Sequence, residues 1–462
     1  MGVMAEQAPV ELNGSAEKIS FRERFGYGIG DLATNLIYAS MASFLTFFYT
    51  DTVGISAGVI GTIMLLARVL DAVLDLVMGV AVDKTRSRHG KARSWILWTS
   101  VPFGLSAILL VTVPDIGYTG KIVYIIVTYL LMNIVFTASN IPYGTLVSLI
   151  TRDPYERSVL AIFRNFLATI GSTTVGVVTL PMIAFFGNTQ LAWIITFSIY
   201  GVVAIALFYW NFFHTRERVK PAASEQQTFK LSLWVQAVLQ NKYWLMIFLF
   251  LLLQFTLLSL NQGVNVYYAN YILGDPDYVG ALTLALSIPS LLGLFIIAPV
   301  IKKIGKRNTA LIGLGLSLGG TLIVFIDPTN VGLVIFATVV KGLGGAPVGA
   351  TMFAFLADTI DYGEWVSGVR AEGVLFSAGS LGQKIGMGVG TALLGWFLSI
   401  GGYVGGAATQ SAGALHMIQM IFIVMPAIIV VLEIIVMLLY KLDREYPTIM
   451  EQLAKGKMRG ER

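Results

Sequence analysis

Long apolar runs broken by short polar stretches pattern this chain from end to end. Runs near 20 residues, the length that crosses a bilayer core as a helix, fall at 28–50, 55–82, 95–114, 121–149, 159–186, 190–213, 243–271, 278–301, 309–326, 331–356, 372–400 and 413–440. The pattern predicts an all-α polytopic membrane protein with about twelve transmembrane helices. The longest polar interruption, 214–242, follows the sixth run and contains Lys220-Pro221-Ala222-Ala223-Ser224-Glu225-Gln226-Gln227, a linker composition. The expected division is a tail (1–20), a six-helix half (21–213), a linker (214–242), a second six-helix half (243–440) and a second tail (441–462). The first 20 residues lack the charged-then-apolar order of a cleaved signal and are expected to be a cytoplasmic tail.

A second internal signal supports two related halves. The loop after the second run holds Gly90-Lys91-Ala92-Arg93, and the loop after the eighth holds Gly305-Lys306-Arg307-Asn308. Twelve runs, a central linker and matching loops resemble the major-facilitator architecture, in which two pseudo-symmetric halves rock around a midplane site. Glycines inside the runs, as in Gly386-Met387-Gly388-Val389-Gly390, are accounted for by close helix packing.

Composition and charge sharpen this picture. The chain is 56% hydrophobic and 12% charged, with a mean hydropathy of +0.76, against about 25% charged in a soluble domain. That excludes a water-soluble enzyme, a disordered chain and a collagen-like one. With no cysteine and three scattered histidines (His89, His214, His416), thiol catalysis, disulfides and Cys/His metal sites are excluded too. The net charge of +5 does not indicate nucleic acid, because the bases alternate by loop. Lys84, Arg86, Arg88, Lys91 and Arg93 follow the second run, Arg152 and Arg157 the fourth, Arg216, Arg218 and Lys220 the sixth, and Lys302, Lys303, Lys306 and Arg307 the eighth. The intervening loops hold Asp51, Asp115, Asp275, Asp277 and Asp327 with one base, Lys121. The positive-inside bias then places both termini in the cytoplasm of a multi-pass protein of the cell (inner or plasma) membrane.

Ionisable groups inside the runs are costly and mark function. Arg68, Asp71 and Asp75 fall at i, i+3 and i+7 of the second run and share one helical face. One arginine cannot neutralise two carboxylates, so the set calls for a further cation: a proton on one aspartate, or a metal ion such as Na⁺ held by oxygens. Other intramembrane polar groups are Asp31 and Asn35, Asn133, Thr137 and Asn140, Arg164 and Asn165, Lys341, Lys384 and Glu433. Arg164 and Lys384, in opposite halves, are placed to contact a substrate between them or to pair with Asp31 or another acid. Lys341 and Glu433 stay unassigned. Asn140-Ile141-Pro142-Tyr143-Gly144 predicts an interruption of the fourth helix facing a cavity.

The tract Ala357-Asp358-Thr359-Ile360-Asp361-Tyr362-Gly363-Glu364-Trp365, ahead of Arg370 and Glu372, is an acidic loop among basic ones. It is either solvated or a latch. As a latch, Asp358, Asp361 and Glu364 would pair with Arg86, Arg88 and Arg157 of the other half and form a cytoplasmic gate that breaks on inward opening.

Several separated motifs resemble one family. Arg68-x-x-Asp71-Ala72-x-x-Asp75-x-x-Met78-Gly79, Thr85-Arg86-Ser87-Arg88-x-Gly90-Lys91, Phe48-Tyr49-Thr50-Asp51, Asn140-Ile141-Pro142-Tyr143 and Ala357-Asp358-Thr359-x-Asp361-Tyr362-Gly363-Glu364 are similar to those of the glycoside–pentoside–hexuronide:cation symporters, the group containing the melibiose permease. The similarity runs from about Gly26 to Lys457. It implies that Asp71 and Asp75 bind the coupling cation with Thr137 as an oxygen ligand. It implies further that Asp31, Arg164 and Lys384 line a sugar cavity, to which Asn35 and Asn140 would add. The chain departs from the melibiose pattern at Asn140, where a second sugar-gripping carboxylate stands, at Gly144, where an aromatic stands, and at Leu74, where an asparagine favours Na⁺. Leucine offers no oxygen, which favours a proton over sodium. An amide beside Arg164 and Lys384 makes the cavity less negative, which suits an acidic sugar as well as a neutral glycoside.

The expected function is cation-coupled symport of a sugar, glycoside or hexuronide-like substrate by alternating access. The expected partners are that sugar, the cation and membrane lipid, with no nucleic acid and no organic cofactor, and the chain is expected to act as a monomer and not as an enzyme. Alternatives are an exporter or antiporter of the same architecture and a non-transporting sensor.

Overall fold

The computed structural model describes residues 19–219, 241–367 and 372–455. The tail before Ile19, most of the expected linker, Arg370 and the last seven residues lie outside them. The described chain is helical, in the order α1 (Phe21–Ser40, continued by π-helical turns Met41–Leu45 and Phe48–Thr52), α2 (Ala57–Lys84), α3 (Arg93–Val111), α4 (Gly117–Ile150), α5 (Pro154–Phe185), α6 (Gln190–His214), α7 (Lys242–Tyr271), α8 (Tyr278–Ile304), α9 (Lys306–Ile323), α10 (Val331–Ser367), α11 (Glu372–Ile400), α12 (Ala412–Gln419, then a π-helical turn Met420–Val424 and Met425–Leu439) and α13 (Leu442–Ala454). Eight of these are long and apolar enough to cross a membrane by length and composition alone. The other long ones, α1, α2, α9 and α11, carry Asp31, the Arg68–Asp75 set, Lys306-Arg307-Asn308 and Lys384, respectively.

Two expectations change. Pro142 does not interrupt the fourth helix, since α4 runs unbroken for 34 residues. Proline removes one backbone donor, a loss that neighbouring helices in a membrane bundle can absorb. The acidic tract is not a loop either, because α10 continues through it to Ser367. Asp358 is only 4% exposed and pairs with Lys306, while Asp361 accepts from the Tyr446 hydroxyl at 2.6 Å.

The loop repeat has a physical basis. Gly90 (φ 103°) and Gly305 (φ 82°) both adopt the left-handed conformation that glycine tolerates best. Each precedes the third helix of its half, and each lies against a carboxylate that follows the sixth. Glu217 accepts from the amides of Lys91, Ala92 and Arg93, all at 2.8 Å. Asp443 accepts from the amide of Arg307 at 3.3 Å. In return, Arg93 donates to Phe212 O at 2.6 Å, and Arg307 donates to Met437 O and Leu438 O at 2.8 and 2.7 Å. Carboxylate at a helix start and guanidinium at a helix end both complement the helix dipole. Glu217→Ala leaves three amide donors without that acceptor, at roughly 1 kcal/mol each. The purified variant should melt several degrees below wild type in detergent, and an unchanged melting temperature would remove this assignment.

The halves meet along α2–α11, α5–α8 and the first π-helical turn of α1 with α7. The glycine run of α11 serves two neighbours. Side chains at Gly386 and Gly390 would overlap the carbonyls of Leu252 and Thr256 on α7, whereas one at Gly388 would press to 3.0 Å on Arg68 Cβ of α2. Among the described residues, the bonds between halves lie at mid-bundle or toward Asp51. At the other end, Asp358–Lys306, Asp361–Tyr446, Lys91–Asp83 and Arg157–Thr151 O each stay within one half.

Candidate functional site

Helical spacing on α2 sets the first cluster. Arg68 and Asp71 are buried at 8% and 0% exposure and Asp75 lies one turn on, while Val69, Leu70 and Val77 stay exposed on the outer face. Thr137 of α4 donates to Asp71 Oδ1 at 2.7 Å and to Asp75 Oδ1 at 3.3 Å. Arg68 stands 3.7 Å from Asp71 Oδ2, its guanidinium 5.1 Å from the centre of the Tyr38 ring. The further cation that the aspartates call for is supplied by the other half. Lys384 Nζ of α11 lies 2.9 Å from Asp71 Oδ2 and 2.5 Å from Asp75 Oδ2. Two cationic and two anionic side chains therefore balance in one group, with Arg68 and Asp71 buried and Asp75 and Lys384 partly exposed.

The second cluster belongs to α1, α4 and α5. Arg164 Nε donates to Asp31 Oδ2 at 2.9 Å, and its guanidinium lies 5.1 Å from the Tyr143 ring centre. Tyr143 stacks on Tyr27 and donates to Tyr27 O at 2.7 Å, fixing α4 against α1 beneath the ion pair. Asn35 donates to Asp31 O at 2.9 Å. Asn140 is half-buried, and the Arg164 side chain keeps 32% of its surface exposed. Among the described residues, nothing beyond the adjoining backbone of α4 lies within 4 Å of where a Gly144 side chain would begin, so α4 faces open space one turn from Asn140.

Of the two alternatives the sequence leaves for Arg164 and Lys384, a shared substrate or pairing with acids, the structure shows the second for both. Arg164 serves Asp31, and Lys384 serves Asp71 and Asp75. Of the expected gate residues, Arg86 and Arg88 are exposed, Arg157 Nε donates to Thr151 O, and Asp358 and Asp361 bond within their own half. Glu364 is half-buried on α10. Lys341 Nζ lies 5.1 Å from the Phe422 ring centre, and both Glu433 oxygens are buried without a hydrogen bond among the described residues.

One constellation escaped the sequence reading. At the end of α1, Asp51 accepts from Tyr271 and Tyr403 hydroxyls at 2.8 and 2.7 Å and from the Gly406 amide at 3.1 Å, all three from the other half. Thr50 adds a 3.0 Å contact to the Tyr267 hydroxyl. The tyrosines Tyr267, Tyr268 and Tyr271 at a run's end suggest an ordinary interfacial belt, which hides their partner.

Residues 26–444 match the model of the MFS/sugar transport protein family. The chain is 35% identical to the isoprimeverose transporter of Lactiplantibacillus pentosus, over 94% of this chain and 91% of that one. It is 33% identical to the inner membrane symporter YicJ of Escherichia coli, over 96% and 97%. The nucleoside transporter NupG shares the fold, with a TM-score of 0.64 at 14% identity over 91% of this chain and 99% of that one. With the family model spanning nearly all of its helices, the chain belongs to the MFS/sugar transport protein family.

Proposed function

We propose that this protein is a cation-coupled symporter that carries a sugar or glycoside across the cell membrane by alternating access. The observation that carries the reading is Lys384, an ammonium from one half seated on the paired aspartates of the other. It holds the position that a coupling cation would take. A cation that enters displaces Lys384, and the freed ammonium can then turn to an oxygen-rich substrate between the halves. Cation and sugar thereby favour each other, and linkage makes the effect reciprocal.

Asp71, Asp75 and Thr137 form the cation site in this reading. Beside Asp71, Asp75 and Thr137, Leu74 adds no oxygen for Na⁺, which supports a proton as the coupling ion. Asp31, Asn35, Asn140 and Arg164 form the sugar station, with Lys384 joining on cation entry. An amide at Asn140 and the exposed flank of Arg164 support acceptance of acidic as well as neutral sugars. The basic-loop end, with both tails, faces the cytoplasm by the positive-inside bias, and this conformation is bonded shut at the Asp51 end. In the opposite conformation Asp358, Asp361 and Glu364 meet Arg86, Arg88 and Arg157. A single chain suffices for the cycle.

Uptake into energised vesicles, with neutral and acidic glycosides and with Na⁺ and proton gradients imposed separately, tests the reading. Accumulation driven by a proton gradient is expected. Accumulation of no sugar under either gradient overturns the function, and neutral glycosides outcompeting every acidic sugar removes the acidic class.

A further inference from the structure

Arg68 grips its carboxylate loosely for a cation that is only 8% exposed. Its guanidinium stands 3.7 Å from Asp71 Oδ2, whereas a charge-assisted hydrogen bond closes to about 2.7–2.9 Å. Lys384, from the other half, comes to 2.9 Å of the same oxygen. The spacing of Arg68 and Asp71 on α2 permits a closer pair, so the helix backbone is not what keeps them apart. An arginine on the same helix as the aspartates stays beside them in every conformation. Its distance therefore decides how much of the Asp71 charge is left for a cation that comes and goes.

The group that draws Arg68 off is Tyr38 of α1. The guanidinium lies 5.1 Å from the centre of the Tyr38 ring, within the range at which an aromatic face attracts a cation. The ring is itself fixed on two sides. It stacks on Phe136 of α4 at 5.0 Å and 29°, and its hydroxyl reaches Met387 Sδ of α11 at 2.8 Å. Tyr38 and Arg68 also line a cavity of about 20 Å³, room for about one water molecule. Gln262, Ser259 and Thr391 of the other half and Tyr129 of α4 line it too, so guanidinium donors that Asp71 does not use have oxygens to turn to.

We propose that Tyr38 is a positioning residue, whose ring holds Arg68 back from Asp71 and so keeps Asp71 open to the coupling cation. The proposal rests on the symporter reading and deepens its cation site. Without the ring, Arg68 closes on Asp71 as a bonded pair. Asp71 is then neutralised by a charge that never leaves, and an entering cation competes with two seated side chains in place of one. Tyr38 stands seven residues from Asp31 on one face of α1, so the helix that carries the sugar station carries this hold as well.

Sugar accumulation in vesicles, measured as a function of proton and Na⁺ concentration separately, tests it. Tyr38→Leu and Tyr38→Met fill the space without a ring face, and each should raise the cation concentration for half-maximal accumulation about tenfold. Tyr38→Phe keeps the ring and its stacking on Phe136 and should stay within about twofold of wild type. In an Arg68→Gln background, Tyr38→Leu should shift the cation requirement no further, because Tyr38 acts through Arg68. Loss of packing alone would lower abundance or maximal rate and leave the cation requirement where it is. A wild-type requirement in both ring-free variants, a shift in Tyr38→Phe as large as theirs, or a second shift in the Arg68→Gln background overturns the assignment and leaves the symporter reading standing. A wild type that accumulates no sugar under either gradient overturns the symporter reading itself.

Discussion

Asp75→Asn is expected to abolish concentrative uptake while the protein still inserts and still exchanges sugar across the membrane. The substitution keeps the shape of the side chain and removes one charge. Arg68 and Lys384 then face Asp71 alone, and the group carries a net positive charge where it was balanced. A further cation is repelled, and Lys384 keeps its 2.9 Å contact to Asp71 whatever the ion gradient. The link between cation entry and release of Lys384 is cut. Loss of one partner from a buried pair costs about 3–5 kcal/mol, but the Asp75 side chain is 21% exposed and the cost is smaller here. The variant should therefore reach the membrane in reduced but measurable amount. Accumulation should fall to the equilibrated level, with counterflow exchange retained. Undiminished accumulation removes Asp75 from the cation site.

The contrast between Asp75 and Lys384 shows what the sequence discloses. Spacing on one helix is periodic, so the shared face of Arg68, Asp71 and Asp75 can be derived from numbers alone. The charge imbalance on that face can be counted as well, and it requires a further cation. Which residue supplies it depends on how two helices from different halves are packed. That packing is set by Gly388 and by Gly61 against Ala392, through close approaches with no period in sequence. The loop repeat was legible because two short turns share residue types, but its carboxylates, Glu217 and Asp443, lie more than a hundred residues away. The acidic tract reads as a loop for a related reason. Local polarity there predicts solvent, whereas Lys306 and Tyr446 pair its acids and let the helix continue. Pro142 misled in the opposite direction, since a proline stops a soluble helix more readily than one held inside a bundle.

Asp51→Ala is expected to free the end of the molecule that this conformation keeps closed. The Asp51 carboxylate receives two tyrosine hydroxyls and one amide from the other half. Hydrogen bonds to a charged group contribute about 1.5–3 kcal/mol each when buried, and Asp51 is half-buried, so the lower figure applies. Three such bonds sum to about 4.5 kcal/mol, which shifts a two-state equilibrium on the order of 1,000-fold. The chain has no cysteine, so one introduced at Ala57, buried where α2 meets Gly395, reports that seam alone. Labelling by a membrane-impermeant maleimide from the Asp51 side should rise at least tenfold in Asp51→Ala. Tyr271→Phe with Tyr403→Phe should act alike, because it removes the donors and keeps the rings. Uptake should fall in both, since a carrier that rests open on one side seldom completes the cycle. If labelling stays at the wild-type rate in both, the tyrosine contacts are not what holds this end shut, and the seams α2–α11 and α5–α8 close it by packing alone.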